Sequence, residues 1–228
     1  MPVCLFDIDG TLLSSGGAGQ AAMEHALELV FEITGPTEGI SYAGRTDRAI
    51  TADMLRYHNV VAEDDVVSRF MEAYLARLPH ELERRPGLIL PGVAELLAEL
   101  SRHPEMTLAL LTGNFRRGAE VKLTHYGLMD YFQFGGFGDH HRDRDDVARQ
   151  AADEVRSSLG PDAADELWVI GDTPADVQCG RAIGAVTVAV ATGVFSADEL
   201  EDAAPDHLFD DFSDVARVLK ILVGPVAD

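Results

Sequence analysis

Four short apolar runs of strand length set the main constraint on this chain. They lie at Val3–Phe6, 106–111, 167–170 and Val186–Val190, and three of them break off into small polar residues. The first delivers Asp7-Ile8-Asp9-Gly10-Thr11, the second Thr112-Gly113-Asn114, and the third Gly171-Asp172. Between the last three runs the apolar spacing is helical over Arg116–His125, 145–159 and 174–183. Strand alternating with helix predicts a parallel sheet covered on both faces. In such a sheet the C-terminal strand ends share one edge, where ligands bind. Asp7, Asp9, Thr112 and Asp172 are therefore expected to converge.

The alternation is interrupted early. Ala22, Ala26, Leu29, Val30 and Ile33 recur at helical spacing over 20–34, a run expected to stop at Gly35-Pro36. Helical patterns follow at 49–58 and 64–83, after a loop over 41–47. Pro86-Gly87 and Pro91-Gly92 mark the return. Residues 1–15 and 89–228 then form the sheet core, and 16–88 an inserted helical unit. Flexible composition at 14–19 and 88–91 suggests hinges. After the insertion, Val93, Leu96, Leu97 and Leu100 line one helix face. A short strand is expected over 131–134, broken by Gly135 and Gly136. Leu208-Phe209 reads as a last strand before a helix through Leu222.

Side chains two apart on a strand share a face, so Asp7 and Asp9 would crowd each other. Such a pair needs a cation between the carboxylates, or a proton on one of them. An EF-hand loop is excluded. Setting Gly10 at its glycine position puts Leu5 and Gly16 where acidic ligands belong, and the flanks read as strand. Three carboxylates and a hydroxyl at one sheet edge suit a hard divalent cation with phosphate oxygens.

The formal charge of -21 excludes a nucleic-acid footprint. It favours cation recruitment, and a salt-adapted composition would give the same imbalance. The only lysines are Lys122 and Lys220. Cys4 and Cys179 are too few for a disulfide framework and are read as reduced core residues. With no basic-then-apolar leader and no run of membrane-span length, the expectation is a soluble cytoplasmic protein, monomer or homodimer, that engages neither membrane nor nucleic acid.

Taken together, these strings resemble the haloacid dehalogenase-like hydrolases. Phe6-Asp7-Ile8-Asp9-Gly10-Thr11-Leu12 is similar to that family's first motif, Leu110-Leu111-Thr112-Gly113-Asn114 to the second, and Gly171-Asp172-Thr173-Pro174-Ala175-Asp176 to the fourth. They occur in family order, and the resemblance runs from Val3 to about Leu222. It implies an α/β, Rossmann-like three-layer core with an α-helical cap inserted between the first two motifs. By the same resemblance the protein is a phosphatase acting on a small phosphorylated metabolite, phosphoglycolate-like in kind. Asp7 would be the nucleophile that forms an aspartyl-phosphate. Asp9 would protonate the leaving oxygen and then activate water, a role suited to a carboxyl raised by neighbouring acids. Mg²⁺ would sit on Asp7, the Asp9 backbone carbonyl and Asp172. Thr112, Gly113 and Asn114 would hold the phosphoryl group, with Asn114 alternatively capping the next helix. Asp176 would orient groups around the metal rather than bind it.

The third motif departs from the family, which commonly places a lysine there. Here the region reads Asp139-His140-His141-Arg142-Asp143-Arg144-Asp145-Asp146. Arg144 is the expected substitute, with Arg142 as alternative. The adjacent histidines are read as exposed, and Lys122 and Lys220 are set aside by position. In the cap, Arg45 either meets a substrate acid or pairs with Asp47, and Arg48 is a weaker candidate. Tyr42, Met54 and Phe70 read as cap core, and Trp168 as packing.

Asp9 disfavours a dehalogenase, which would not need it. The absence of lysine from 16–88 excludes Schiff-base cleavage of a phosphonate of the phosphonoacetaldehyde hydrolase kind. A sugar phosphomutase remains compatible with the motifs. A non-catalytic homologue would have lost Asp7 or Asp172.

Overall fold

The structure, a computed structural model, describes residues 2–35 and 37–224. Six strands form one sheet: β1 (Val3–Phe6), β4 (Thr107–Leu111), β5 (Gly135–Gly136), β6 (Leu167–Gly171), β7 (Val186–Val190) and β8 (His207–Phe209). Their order is β5-β4-β1-β6-β7-β8 and every pairing is parallel. β1 lies centrally, its residues 3–6 in register with 107–110 on one side and 167–170 on the other.

The period-two rule splits the sheet residues between two cores. Cys4, Phe6, Leu108 and Leu110 face a cluster built with α4 (Val93–Leu100), α5 (Arg116–His125) and the C-terminal helix α8 (Val215–Leu222). Val3, Leu5, Ala109 and Leu111 face the opposite cluster, with α6 (Arg144–Leu159) and Cys179 of α7 (Pro174–Ala182). Both faces are thus covered, which is why the central strand β1 is apolar throughout. Cys4 and Cys179 are free and buried.

Helices α1 (Ala18–Phe31), α2 (Asp47–Tyr57) and α3 (Asp64–Arg84) share a separate core of Met23, Leu27, Ile50, Met54, Phe70 and Leu78. Met54 and Phe70 are fully buried there. This helical block is entered and left through a two-stranded antiparallel ribbon, β2 (Leu13–Ser14) with β3 (Leu88–Ile89). The segments read from composition as hinges therefore include paired backbone. The block also rests on the sheet edge through named bonds. Asp47 N donates to Gly113 O at 2.7 Å, Phe115 N to Asp47 Oδ2 at 2.8 Å, and Thr46 Oγ1 to Arg142 O at 3.3 Å.

Two expectations are corrected. The strand over 131–134 is instead a 3₁₀ turn, Met129–Tyr131, and Gly135–Gly136 is itself the edge strand. A Cβ on Gly135 would lie 2.6 Å from Leu110 O, and one on Gly136 2.6 Å from Val147 O. These glycines let the strand pass between β4 and α6 rather than breaking it. Helix α1 ends at Phe31, where Glu32 takes a left-handed φ of 57°, before Gly35; Pro36 lies outside the described residues. Trp168 is half-buried and stacks on His207 at 6.0 Å. Among the described residues, no helix is long and apolar enough to cross a membrane.

Candidate active site

Asp7 extends β1 by one residue, its N–H donating to Ile170 O at 2.9 Å, and Asp172 follows directly on β6. With Asp176 they form a buried acidic cluster whose ligand oxygens all lie within 4.8 Å of one another. Asp176 sits in the first turn of α7 as the partner in a capping box. Its Oδ2 accepts from Thr173 N at 3.0 Å and Thr173 Oγ1 at 2.7 Å. Its Oδ1 accepts from Arg144 Nη2. Both oxygens are thereby committed, so Asp7 and Asp172 are the carboxylates left for a cation.

Arg144 opens α6 behind the Asp143 cap and is buried, whereas Arg142 is exposed. The Arg144 Nη2 lies 3.4 Å from Asp7 Oδ2, so this residue, and not Arg142, reaches the first strand. Its Nε is buried without a partner. One guanidinium does not balance three carboxylates. Burial, opposed by Arg144 and reinforced by Asp176, pushes Asp7 up to about 6. Burial together with Asp176 and Asp7 pushes Asp172 up to about 8. Uncompensated negative charge on hard oxygen donors is what a divalent cation would relieve, so the residues present fit Mg²⁺.

Two glycines shape this acid cluster. A Cβ on Gly10, whose φ is +86°, would stand 2.3 Å from Asp172 Oδ2, and one on Gly193 1.8 Å from the same atom. The carboxylate lies in a slot between two backbones, with Oδ1 accepting from Thr11 Oγ1 at 3.0 Å.

Asp9 faces a different environment. Its Oδ2 accepts from Asn114 Nδ2 at 2.9 Å and from Lys122 Nζ at 2.5 Å. Enclosure alone would raise this carboxyl, but Lys122 and the hydrogen bonds outweigh it and hold Asp9 below its ordinary value. The expectation of a raised Asp9 is therefore corrected, because a lysine set aside on sequence position is in contact with it. Lys122 projects from the buried face of α5, alongside Ala119 and Leu123.

Thr112 is also repositioned. It is fully buried, its Oγ1 within 3.3 Å of Asn114 N and 2.9 Å of Asn114 Nδ2, and it hydrogen-bonds Asp7. It braces Asn114 and Asp7 from behind, while Gly113 and Asn114 line the cavity.

That cavity, about 420 Å³, lies between the strand ends and the helical block, with Asp7, Asp9, Lys122, Arg144 and Asp172 on its wall. From the block, Tyr42, Arg45, Asp47 and Tyr74 complete the wall. Arg45 pairs with Asp53 at 2.5 Å rather than with Asp47, and Arg48 pairs with Asp64 at 2.6 Å. Asp47 instead turns inward to cap Phe115 N, and burial pushes it up to about 7. Sequence reading missed Asp47 and Lys122. The one available signal was two charged residues on otherwise apolar helix faces, which resembles ordinary solvent-facing charge until the partner element is known. His140 is exposed and His141 half-buried.

The comparisons agree with this geometry. A sequence model described as "Haloacid dehalogenase-like hydrolase" matches residues 4–190. "Probable phosphatase IndB" of Dickeya dadantii is 30% identical, covering 99% of this chain and 98% of that protein. "Phosphoglycolate phosphatase" of Synechococcus elongatus is 30% identical across 65% of this chain and 70% of its own. The crystal structure of a hydrolase from Pseudomonas syringae superposes with a TM-score of 0.72 at 22% identity, covering 97% of this chain and 99% of that one.

Proposed function

The chain belongs to the haloacid dehalogenase-like hydrolases, and from that premise we propose that it is a Mg²⁺-dependent phosphatase of small phosphomonoesters, phosphoglycolate-like in kind, working through an aspartyl-phosphate on Asp7. The observation that carries this reading is the unlike environment of two carboxylates at the end of one strand. Asp7 is buried beside a cation and a cation-deficient acid cluster; Asp9 opens to the cavity and is held by hydrogen bonds.

In the first half, an Asp7 oxygen attacks phosphorus and the bond to the leaving oxygen breaks. Asp9 gives that oxygen a proton, which the ester monoanion supplies on entering the cavity. In the second half, Asp9 as carboxylate takes a proton from water, the water oxygen bonds to phosphorus as the bond to Asp7 breaks, and Asp9 returns the proton to the departing phosphate. The low resting Asp9 favours this second role. Arg144 neutralises Asp7, and its unpartnered Nε is a free donor for a phosphoryl oxygen, as are the groups around Gly113 and Asn114. Asp7, the Asp9 carbonyl and Asp172 would hold Mg²⁺, which when bound supplies positive charge between the anionic nucleophile and the anionic ester. Asp176 orients Arg144.

The block 16–88 acts as a cap over the cavity, and Arg45 meets an acidic leaving group by giving up Asp53 for it. Lys122 does not reopen Schiff-base chemistry. Burial would lower it, but Asp9 and Asp47 hold it above its ordinary value, and an ammonium is no nucleophile.

Mg²⁺-dependent phosphate release from a panel of small phosphomonoesters, phosphoglycolate included, tests the reading, with Asp7→Asn expected to abolish turnover. An unaffected Asp7→Asn protein, or no turnover of any ester, would sink it. Conversion of a hexose 1-phosphate to the 6-phosphate without free phosphate would identify a mutase instead.

A further inference from the structure

Lys122 is one of two lysines in the chain, and it is buried at the seam between α5 and the first turn of α1. Its Nζ donates to Asp9 Oδ2 at 2.5 Å and to Asn114 Oδ1 at 2.6 Å. The Asn114 amide nitrogen in turn donates to the same Asp9 oxygen at 2.9 Å and to Thr112 Oγ1 at 2.9 Å. The three side chains close a triangle. Because Lys122 has only donors, it selects the oxygen end of the Asn114 amide and so turns the nitrogen end toward Asp9 and Thr112. Two donors converging on one carboxylate oxygen fix both the tilt and the plane of the Asp9 group.

The neighbouring helix closes over this ammonium at Gly19, where a Cβ would lie 3.6 Å from Nζ, in ordinary contact. Burying a lysine is costly unless it is paired, and three carboxylates (Asp9, Asp47, Asp7) face this one from the end of β1 and the start of α2.

We propose that Lys122 is the positioning residue of the site, aiming the Asp9 carboxyl at the leaving oxygen through the Asn114 triangle. The inference rests on the phosphatase reading and adds to it a residue outside all the motifs that suggested it. Lys122 directs the hydrogen bonds of its ammonium to Asp9 and Asn114 and not to Asp7. It acts through Asp9, so its loss harms the steps that need an aimed proton and spares those that do not.

Two esters separate these cases. Nitrophenolate leaves without a proton, whereas the alkoxide of β-glycerophosphate does not. In Lys122→Met, rapid mixing with p-nitrophenyl phosphate and Mg²⁺ should show a nitrophenolate burst slowed by no more than about threefold, followed by slow turnover. Single-turnover cleavage of β-glycerophosphate should fall about 100-fold, the usual worth of an aimed general acid. Lys122→Gln, which keeps one donor toward Asp9 without the charge, should show the same asymmetry to a lesser degree. It decides the matter if Lys122→Met does not fold. Equal losses on both esters would assign Lys122 a merely structural role and overturn the proposal, as would no loss on either. In the same series, wild-type turnover that Asp7→Asn abolishes keeps the phosphatase reading standing when the Lys122 proposal fails. A wild-type protein inert toward every ester removes that reading, and the role given to Lys122 with it.

Discussion

Replacing Gly193 by alanine tests the slot around Asp172 with a single methyl group. The added Cβ would stand 1.8 Å from Asp172 Oδ2 and 2.7 Å from its Cγ. Ordinary contact begins near 3.5 Å, so the oxygen must retreat by about 1.7 Å. Retreat is blocked on the far side by the Gly10 backbone, where a Cβ would come within 2.3 Å of the same oxygen, and it strains the bond from Thr11. Overpacking of this kind costs about 1–3 kcal/mol of stability, and misplacing a reacting group by about 1 Å costs about 100-fold in rate. Gly193→Ala should therefore fold, lose about 100-fold in turnover, and need at least about tenfold more Mg²⁺ for half-maximal rate. The assay is phosphate release against Mg²⁺ concentration, with a melting curve alongside. Gly10→Ala should be at least as damaging, because its φ of +86° adds about 1 kcal/mol of backbone strain. A Gly193→Ala protein with wild-type turnover and an unchanged Mg²⁺ requirement would refute both the slot and the place given to Asp172.

Other outcomes follow from the same geometry. Arg144→Met leaves Asp7 and Asp176 without their buried partner; activity should fall at least about 100-fold and stability by about 3–5 kcal/mol, while Arg142→Met, changed at an exposed side chain, should stay within about threefold. Equal effects would put the cation elsewhere. The acid cluster makes metal-free stability depend on pH with a defined sign. Asp172 is raised from 3.8 to about 8, so between those values the folded chain keeps a proton that the unfolded chain has lost, and stability falls as pH rises. Each unit realised is worth about 1.4 kcal/mol, or about 3–6 °C in melting temperature for a chain of this length. Comparing wild type with Asp172→Asn between pH 5 and pH 8 isolates this effect, and Mg²⁺ should reverse the wild-type loss. A flat difference would mean the cluster is already compensated. Gly113→Ala would place a Cβ 2.0 Å from Arg45 O and should unseat the helical block from the sheet edge. Faster proteolysis within 84–92 would report it, and unchanged proteolysis would show the contact to be dispensable.

How far this was legible in the sequence varies from residue to residue. Asp7, Asp9 and Asp172 were readable because a buried strand announces itself as an apolar run and its polar ending needs no distant information. Arg144 could be preferred to Arg142 only through a resemblance; the structure adds that Arg144 lies on the inner face of α6 and Arg142 in the exposed turn before it. Gly135 and Gly136 were misread as breakers because their role depends on how closely Leu110 and Val147 approach. Thr112 was expected at the phosphate, and that its oxygen accepts from the Asn114 amide depends on the turn after β4 rather than on spacing.

By itself the sequence determined the alternation of strand and helix, the helical insertion, and the acids that end β1 and β6. Those are local matters: periodicity, turn chemistry and the burial of short apolar runs. Only the tertiary structure decided that α5 turns Lys122 inward onto Asp9, that Asp47 faces the cavity while Asp53 takes Arg45, and that Gly10 and Gly193 grip Asp172. Each of these joins residues from separate elements, and the sign of a charge's effect depends on which charges stand beside it. Spacing along the chain carries no record of that.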